Sequence, residues 1–270
     1  MKLEDLKDFY ARDAEVILDD PEAASVHEVL LTALEAGTLR AACPDDAGGW
    51  QVQAWVKQAI LIGFRRTAFK ALPGEPPFFD KEGFPVRRLR LEDGVRIVPG
   101  GSSVRRGAHV AAGVVIMPPA YVNVGAFVGT QSMVDSHALV GSCAQIGARV
   151  HLSAGAQIGG VLEPAGARPV IVEDEAFVGG LVGLFEGVLV RRRAVLASGV
   201  LITGSTVIYD LVHERELVRE VPEGAVVVPG SRPARGDYAR ERGLALHAPM
   251  IVKYRDDRTD SATALEEALR

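Results

Sequence analysis

The sequence predicts a mainly β protein: a left-handed parallel β-helix made of hexapeptide repeats, with a helical N-terminal domain and a small C-terminal cap. The first observation is an aliphatic residue that returns at every sixth position over residues 104–158 and again over residues 172–208. The second is a small or β-branched residue four positions after most of them, as at Ala108, Val114 and Ala126. An α-helix repeats every 3.6 residues and a strand every two, so neither alone explains a period of six. Stacked hexapeptide coils do explain it.

Each hexapeptide is predicted to form one short strand and one corner, with the aliphatic and the small residue pointing inward. Glycines such as Gly107, Gly125 and Gly199 fall mostly at the corners, where left-handed backbone costs glycine least. If three hexapeptides complete a triangular turn, residues eighteen apart stack, and the run holds between five and six coils. Parallel crossovers are usually right-handed, but triangular hexapeptide coils are known for winding left-handed, and we expect that hand.

The chain divides into three predicted parts. Residues 1–100 form a helical N-terminal domain and linker, in which Asp20-Pro21-Glu22 reads as a helix start and Gly37 as the helix end. Residues 101–210 form the β-helix. Residues 211–270 form the C-terminal cap, because the count of six is lost after Ile208, and a short acidic helix is expected at the end.

Composition limits the partners of this protein. The 270 residues carry a formal net charge of −5, so no electrostatic footprint for nucleic acid is present. The acidic, amphipathic start is not a signal peptide, and no apolar run reaches membrane length, so we expect a cytoplasmic protein without a membrane partner. Two cysteines are too few for a disulfide framework.

The histidines do not predict a metal site. His109 and His151 are forty-two residues apart, which is seven hexapeptides and not a whole number of three-hexapeptide turns. His137 occupies a different position within its hexapeptide. The three should therefore not converge on one face of a single chain, and no metal is expected.

Several segments beyond the bare repeat carry a resemblance to a known family. Their order and spacing agree from about residue 50 to 255, including a loop that interrupts the count of six. The chain resembles the tetrahydrodipicolinate N-succinyltransferases, which are hexapeptide-repeat transferases. The matching segments include Trp55-Val56-Lys57, Phe79-Asp80-Lys81, Arg96-Ile97-Val98-Pro99, Tyr121-Val122-Asn123-Val124-Gly125, Met133-Val134-Asp135, Gly159-Gly160-Val161-Leu162-Glu163-Pro164, Ser205-Thr206-Val207-Ile208-Tyr209-Asp210 and Ile251-Val252-Lys253.

The resemblance implies a CoA-dependent N-acyltransferase of lysine and diaminopimelate synthesis. Such enzymes move a succinyl group from succinyl-CoA, a co-substrate, to the amino group of ring-opened tetrahydrodipicolinate, a small dicarboxylate, with no metal or bound cofactor. They are expected to be homotrimers whose grooves hold the CoA arm. By match, Asp135 is a catalytic and acceptor-binding residue, and Arg96 and Asn123 bind the substrate. The candidates for CoA contacts, taken from matching late segments only, are Gly199, Ser205 and Lys253.

The chain departs from the family in one segment after Glu173-Asp174. The first glutamate of the family's segment falls on Gly183, and the family's arginine falls on Leu181. Glu186 matches a second glutamate and is a candidate catalytic residue. His137 replaces a family tryptophan two residues after Asp135 and could supply a base. Two alternatives therefore stay open: a divergent member with another acyl donor or acceptor, and a non-catalytic homologue that binds CoA or a dicarboxylate.

Overall fold

The computed structural model describes residues 1–72 and 78–256, and four helices build its N-terminal part. Their apolar side chains recur every three or four positions and pack into one core, which includes Leu6, Leu30 and Ile60. The helix that ends before Gly37 begins later than its Asp20 start signal, at Ala23, because Asp20 caps a preceding turn by accepting from the backbone of Glu22. The helices are α1 (Leu3–Tyr10), α2 (Ala14–Leu18), α3 (Ala23–Glu35) and α4 (Ala54–Arg66).

Most of the strands that follow have two residues and stack in parallel into three sheets, which form the faces of a triangular coil. Phe127 pairs with His109 on one side and with Gln145 on the other, a spacing of eighteen residues, as predicted. The inward aliphatic and small residues form one continuous buried core.

The three sheets are named here in the order in which each coil visits them. Sheet I comprises His109–Val110, Phe127–Val128, Gln145–Ile146, Ile171–Val172, Leu189–Val190 and Glu220–Val221. Sheet II comprises Arg96–Ile97, Val115–Ile116, Met133–Val134, His151–Leu152, Phe177–Val178, Val195–Leu196, Ala225–Val228, Met250–Tyr254, Val207–Asp210 and Arg215–Val218. Sheet III comprises Ser103–Val104, Tyr121–Val122, Leu139–Val140, Gln157–Ile158, Gly183–Leu184 and Leu201–Ile202.

Two insertions interrupt the coil. Gln145 pairs with Ile171, which is 26 rather than 18 residues later, so residues 159–170 form an excursion with eight extra residues. Leu189 pairs with Glu220, which is 31 residues later, and the antiparallel hairpin of Val207–Asp210 and Arg215–Val218 accounts for this longer spacing. The coil therefore resumes at Val221 after the count of six fails at Ile208.

The strand pairing runs past both ends of the predicted β-helix range. Arg96–Ile97 already pairs in parallel with Val115–Ile116, and Ala225–Val228 pairs in parallel with Val195–Leu196. The division at residues 100 and 210 stays a prediction about folding units. The acidic helix expected at the C-terminus lies outside the described residues.

Shorter elements complete the fold. Met250–Tyr254 runs antiparallel to Ala225–Val228 and lies between that strand and Val207–Asp210 in sheet II. The others are a 3₁₀ turn (Leu91–Asp93), α5 (Asp237–Glu241) and three hairpins, which pair Ala42–Pro44 with Trp50–Val52, Phe69–Leu72 with Phe78–Lys81, and Ser231–Pro233 with Ala245–His247. Within the described part of the chain, no helix has the length and apolar character needed to cross a membrane.

The N-terminal domain packs against the outer face of sheet I and against the corner that follows Tyr121–Val122, where Val124 joins the helical core. The guanidinium of Arg40 lies 3.7 Å from the ring centroid of Phe127 and donates to Oε1 of Gln145 at 2.9 Å. Trp50 Nε1 donates to Oε1 of Glu173 at 2.9 Å. Exposed side chains such as Arg96 and Leu201 lie on the outer faces of sheets II and III instead. A ligand therefore has access to those two faces.

Candidate active site

The corner between sheets II and III collects several of the predicted residues. Each coil contributes one residue to a column along this corner, and the column runs through Pro119, His137, Gly155, Leu181 and Gly199. Neighbouring members are separated by one strand spacing, about 4.8 Å. We call this column corner II/III.

Asp135 stands at the start of this corner, directly after the strand Met133–Val134. Its backbone N–H donates to the carbonyl of Leu152 at 2.9 Å, which continues the parallel ladder. Its Oδ1 accepts from the backbone N–H of Ser136 at 2.7 Å, so the carboxylate closes its own turn. The side chain is half-buried. A carboxylate held in this way keeps a second oxygen for an acceptor amine.

His137 lies two residues further, exposed, with φ of +62°. Left-handed backbone is uncommon for a residue with a Cβ. Two hydrogen bonds hold it: the His137 N–H donates to the carbonyl of Pro119 at 2.5 Å, and its carbonyl accepts from Nε2 of Gln157 at 3.0 Å. The imidazole and the carboxylate of Asp135 thus project from one rigid turn.

The outer face of sheet II carries both predicted cationic residues. Arg96 pairs with Val115, which pairs with Met133, so Arg96 lies two strand spacings, about 10 Å, from the strand that leads into Asp135. Lys253 lies opposite Val226 at the other end of the same sheet, and its ammonium contacts both oxygens of Asp256 at 3.2 and 3.3 Å. The structure therefore places Arg96 in the same part of sheet II as the strand before Asp135 and leaves Lys253 several strands away.

A buried carboxylate anchors the strand that carries Lys253. Asp210 accepts from Tyr254 Oη at 2.8 Å, from Nδ1 of His213 at 2.9 Å and from Nε of Arg215 at 3.0 Å. Burial by itself would raise the pKa of Asp210, but these hydrogen bonds outweigh it and hold the pKa well below its usual range. The carboxylate therefore stays ionised and ties the hairpin to the last strand.

Three predicted residues lie on a different corner, between sheets III and I, which we call corner III/I. Asn123 follows the strand Tyr121–Val122, and its Oδ1 accepts from the backbone of Val124 at 2.8 Å. Glu186 is exposed and accepts from the backbone N–H of Gly204 at 2.9 Å. Ser205 is one residue further along the same corner. Glu186 is therefore not beside Asp135 within one chain.

Gly199 is the candidate CoA residue on corner II/III. Its φ is +80°, and a Cβ added there would have no heavy atom within 4 Å. The backbone is thus open to a ligand that lies along the corner. Ser205 and Lys253 are on other parts of the surface, so one chain does not gather the three candidate CoA residues.

The two departures from the family occupy sheet III and corner II/III. A Cβ on Gly183 would lie 2.6 Å from Leu201 Cδ1 and 2.7 Å from Phe185 Cε2, so these side chains fill the space above Gly183. The sequence analysis did not predict that Phe185 covers Gly183. The available signal was two glycines, Gly159 and Gly183, at outward positions of sheet III, where a large ring can lie flat on the backbone.

The histidines lie where their spacing predicts. His109 is on sheet I, His151 is on sheet II, and His137 is on corner II/III. Across residues 1–72 and 78–256, no group of three or more His, Cys, Asp or Glu side chains is placed to hold a metal ion.

The fold and the site together define a hexapeptide-repeat protein with an acid and an imidazole at an open corner of its coil. Residues 5–65 match the family model for the tetrahydrodipicolinate N-succinyltransferase N-terminal region, and residues 169–204 match the model for the hexapeptide repeat of succinyl-transferase. Over 270 aligned residues, the chain is 42% identical to the 2,3,4,5-tetrahydropyridine-2,6-dicarboxylate N-succinyltransferase of Afipia carboxidovorans and 46% identical to that of Rhodopseudomonas palustris. Each alignment covers 97% of this chain and 95% of the relative.

This chain belongs to the tetrahydrodipicolinate N-succinyltransferase family. Among solved structures, a candidate 2,3,4,5-tetrahydropyridine-2-carboxylate N-succinyltransferase from Campylobacter jejuni superposes with a TM-score of 0.51 at 19% identity. The match covers 83% of this chain and 62% of that one. At this identity the likeness supports the fold alone.

Proposed function

We propose that this protein transfers the succinyl group of succinyl-CoA to the amino group of ring-opened tetrahydrodipicolinate, a step of lysine and diaminopimelate biosynthesis. The observation that carries the proposal is the rigid turn that presents Asp135 and His137 together at an open corner, with Arg96 on the same sheet two strands from Met133–Val134. The names of relatives that align over nearly the whole chain support the same substrates.

The chemistry needs a neutral amine, a base for its proton and a cation for the acceptor's carboxylates. Asp135 accepts a hydrogen bond from the amine, and Arg96 binds a carboxylate of the same molecule. The amine nitrogen attacks the thioester carbonyl, the C–N bond forms, and the C–S bond breaks. The amine proton passes to Asp135, or to His137 on the same turn, and the departing sulfur of CoA takes up a proton.

The working form is a homotrimer of left-handed coils. The predicted residues fall on two corners of one chain, with Asp135 and His137 on corner II/III and Asn123 and Glu186 on corner III/I. A rotational trimer is held by heterologous contacts, each of which joins two different surfaces, and we propose that these surfaces are corner III/I of one copy and corner II/III of the next. Each complete site therefore uses two copies.

Succinyl-CoA is a co-substrate, and no resident cofactor is part of the proposal. Gly199 gives the CoA arm an open stretch of backbone on the corner that carries His137. Ser205 and Lys253 contact CoA from the neighbouring copy or from the end of the coil. The protein works in the cytoplasm, since CoA thioesters are intracellular metabolites.

A thiol-release assay tests this function directly. Purified protein is given succinyl-CoA or acetyl-CoA, with tetrahydrodipicolinate or its stable analogue L-2-aminopimelate as acceptor. We expect CoA release that depends on the acceptor and is faster with succinyl-CoA. Release with neither donor, from protein that still binds CoA, would contradict the proposal.

One observation favours a second candidate, a family member with another acyl donor or acceptor. Positions 181 and 183 carry no charge here, and Phe185 and Leu201 cover the second of them. Acceptor-dependent release with acetyl-CoA alone would support this candidate. A protein that binds CoA and a dicarboxylate but releases no thiol would be a non-catalytic homologue.

A further inference from the structure

Leu181 is a large apolar residue at an exposed corner of the coil. Its side chain is 76% exposed, although it is large and apolar. Its φ is +59°, the left-handed conformation that the corner residues His137 and Arg193 also adopt. Exposed apolar side chains that form a continuous surface mark binding sites.

The Leu181 side chain leans along corner II/III toward the candidate catalytic turn. A Cβ placed on Gly155 would lie 2.7 Å from Leu181 Cδ2, so the leucine covers the glycine between it and His137. Its methyl groups therefore reach the coil directly next to that of His137, about 4.8 Å along the corner.

Phe185 and Leu201 continue this apolar surface across sheet III. A Cβ on Gly159 would lie 2.6 Å from Phe185 Cδ1, and one on Gly183 would lie 2.7 Å from Phe185 Cε2. The ring thus spans two coils and rests on two strands that offer only backbone. Leu201 is 45% exposed and covers Gly183 from the next coil. We call Leu181, Phe185 and Leu201 the apolar wall.

We propose that the apolar wall contacts the acyl chain of the donor and determines donor specificity, so that an uncharged straight-chain acyl-CoA binds nearly as well as succinyl-CoA. The inference rests on the proposed function, because it takes the donor to lie along corner II/III beside Asp135. Methylene groups pack on the leucine and phenylalanine side chains, and the wall itself offers no cation to a carboxylate at the far end of the acyl group. The preference between the two donors is therefore weak.

Other corners of the coil show that a protein with arginine at position 181 can fold. Arg149 and Arg193 occupy corner positions with φ of +54° and +59°, so arginine is compatible with the backbone that Leu181 adopts. Leu181→Arg places a cation where the acyl chain passes. Leu181→Ala shortens the wall without adding charge. The matched control is Leu3→Arg, which adds the same charge to an exposed position of the N-terminal domain.

The test is calorimetric binding of succinyl-CoA, butyryl-CoA and free CoA, without acceptor, to the wild-type protein and the three variants. We expect wild-type dissociation constants for succinyl-CoA and butyryl-CoA within about tenfold of each other. Leu181→Arg should shift their ratio toward succinyl-CoA by about tenfold, the value of one added charge pair. Leu181→Ala should weaken butyryl-CoA by about threefold or more. Free CoA and the Leu3→Arg control should not change.

Two results would overturn the proposal. Equal changes for all three ligands would mean that the wall contacts the CoA arm rather than the acyl chain. An unchanged ratio in Leu181→Arg would mean that the wall lies outside the donor site. Because the titration contains no acceptor, its result is independent of the thiol-release assay. Shifted ratios without acceptor-dependent transfer would support the role of the apolar wall and contradict the proposed activity.

Discussion

Asp135 shows how one residue can serve the turn and the chemistry together. One carboxylate oxygen caps the N–H of Ser136, and the half-buried side chain remains accessible. An asparagine at this position keeps an oxygen for the same N–H bond, so the turn survives while the base is lost.

Asp135→Asn is therefore expected to fold normally and to lose most of its turnover. Removing a general base typically costs about 10²–10⁴-fold in rate. The assay is acceptor-dependent CoA release, with the thermal unfolding midpoint as the control for folding. Wild-type turnover in the variant would remove Asp135 from the proton-transfer step and leave His137 as the base.

His27 is a residue whose titration affects stability rather than catalysis. The ring is 2% exposed and packs edge-on against Phe84, with ring centroids 4.9 Å apart. Burial, together with the nearby charge of Arg66, lowers the pKa of His27 from 6.5 to about 4.

Because this pKa is lower in the folded state, the unfolded chain binds the proton first as the pH falls. The stability is fully present above pH 6.5 and is lost between pH 6.5 and about 4, by about 3 kcal/mol in all. Urea unfolding over this range should show the loss in the wild type and a smaller slope in His27→Leu. Equal slopes in both proteins would contradict the assignment.

At the scale of elements, the strand Gly183–Leu184 explains why a single substitution should not restore the charge that the family carries there. Gly183→Glu would force its Cβ against Leu201 and Phe185 at 2.6 and 2.7 Å. We expect a loss of about 1–3 kcal/mol from overpacking, without a gain in turnover. Gly183→Glu combined with Phe185→Val removes one of these two contacts and should recover part of that stability. A stable, more active single variant would contradict this account.

The excursion formed by residues 159–170 depends on a lysine of the N-terminal domain. Lys57 is fully buried in α4, and its ammonium donates to the carbonyls of Pro164 at 3.1 Å and Ala167 at 2.7 Å. Hydrogen bonds from charged donors are worth about 1.5–3 kcal/mol each.

Lys57→Met keeps an unbranched side chain that ends at the Cε position and removes both bonds, so we expect a loss of about 3 kcal/mol and faster proteolysis within the excursion. Denaturant unfolding and timed proteolysis measure the two effects. Lys70→Met, at an exposed site paired with Glu82, is the control and should change neither. Unchanged proteolysis in Lys57→Met would show that the excursion is held by its other contacts.

The repeating elements could be predicted from the sequence and the inserted ones only in part. The period of six locates the strands from Val104 to Ile208, because an inward aliphatic residue is needed at every coil. It does not show that the coil resumes at Val221, since the hairpin between them repeats at two. Glu186 could be matched to a motif of the family. Its position on corner III/I depends on the eight extra residues of the excursion, because these residues change which corner each later position occupies. The packing of Phe185 on Gly159 depends on contacts between coils, which no local pattern encodes.

At the scale of the whole molecule, the coil distributes the candidate site over two corners. Asp135 and His137 project from corner II/III, and Glu186 and Asn123 from corner III/I of the same chain. Side chains on different corners of one rigid coil cannot meet, because the packed core fixes the faces. A site that needs both sets must therefore be completed by another copy.

The measurement that tests this account most directly is the activity of mixed oligomers of Asp135→Asn and Glu186→Gln. Each variant alone should release little CoA from succinyl-CoA with acceptor present. In trimers co-expressed from both variants, about one quarter of the sites should combine two intact corners and recover that share of wild-type turnover. Mixed trimers no more active than either parent, or full activity of Glu186→Gln alone, would contradict a site shared between copies.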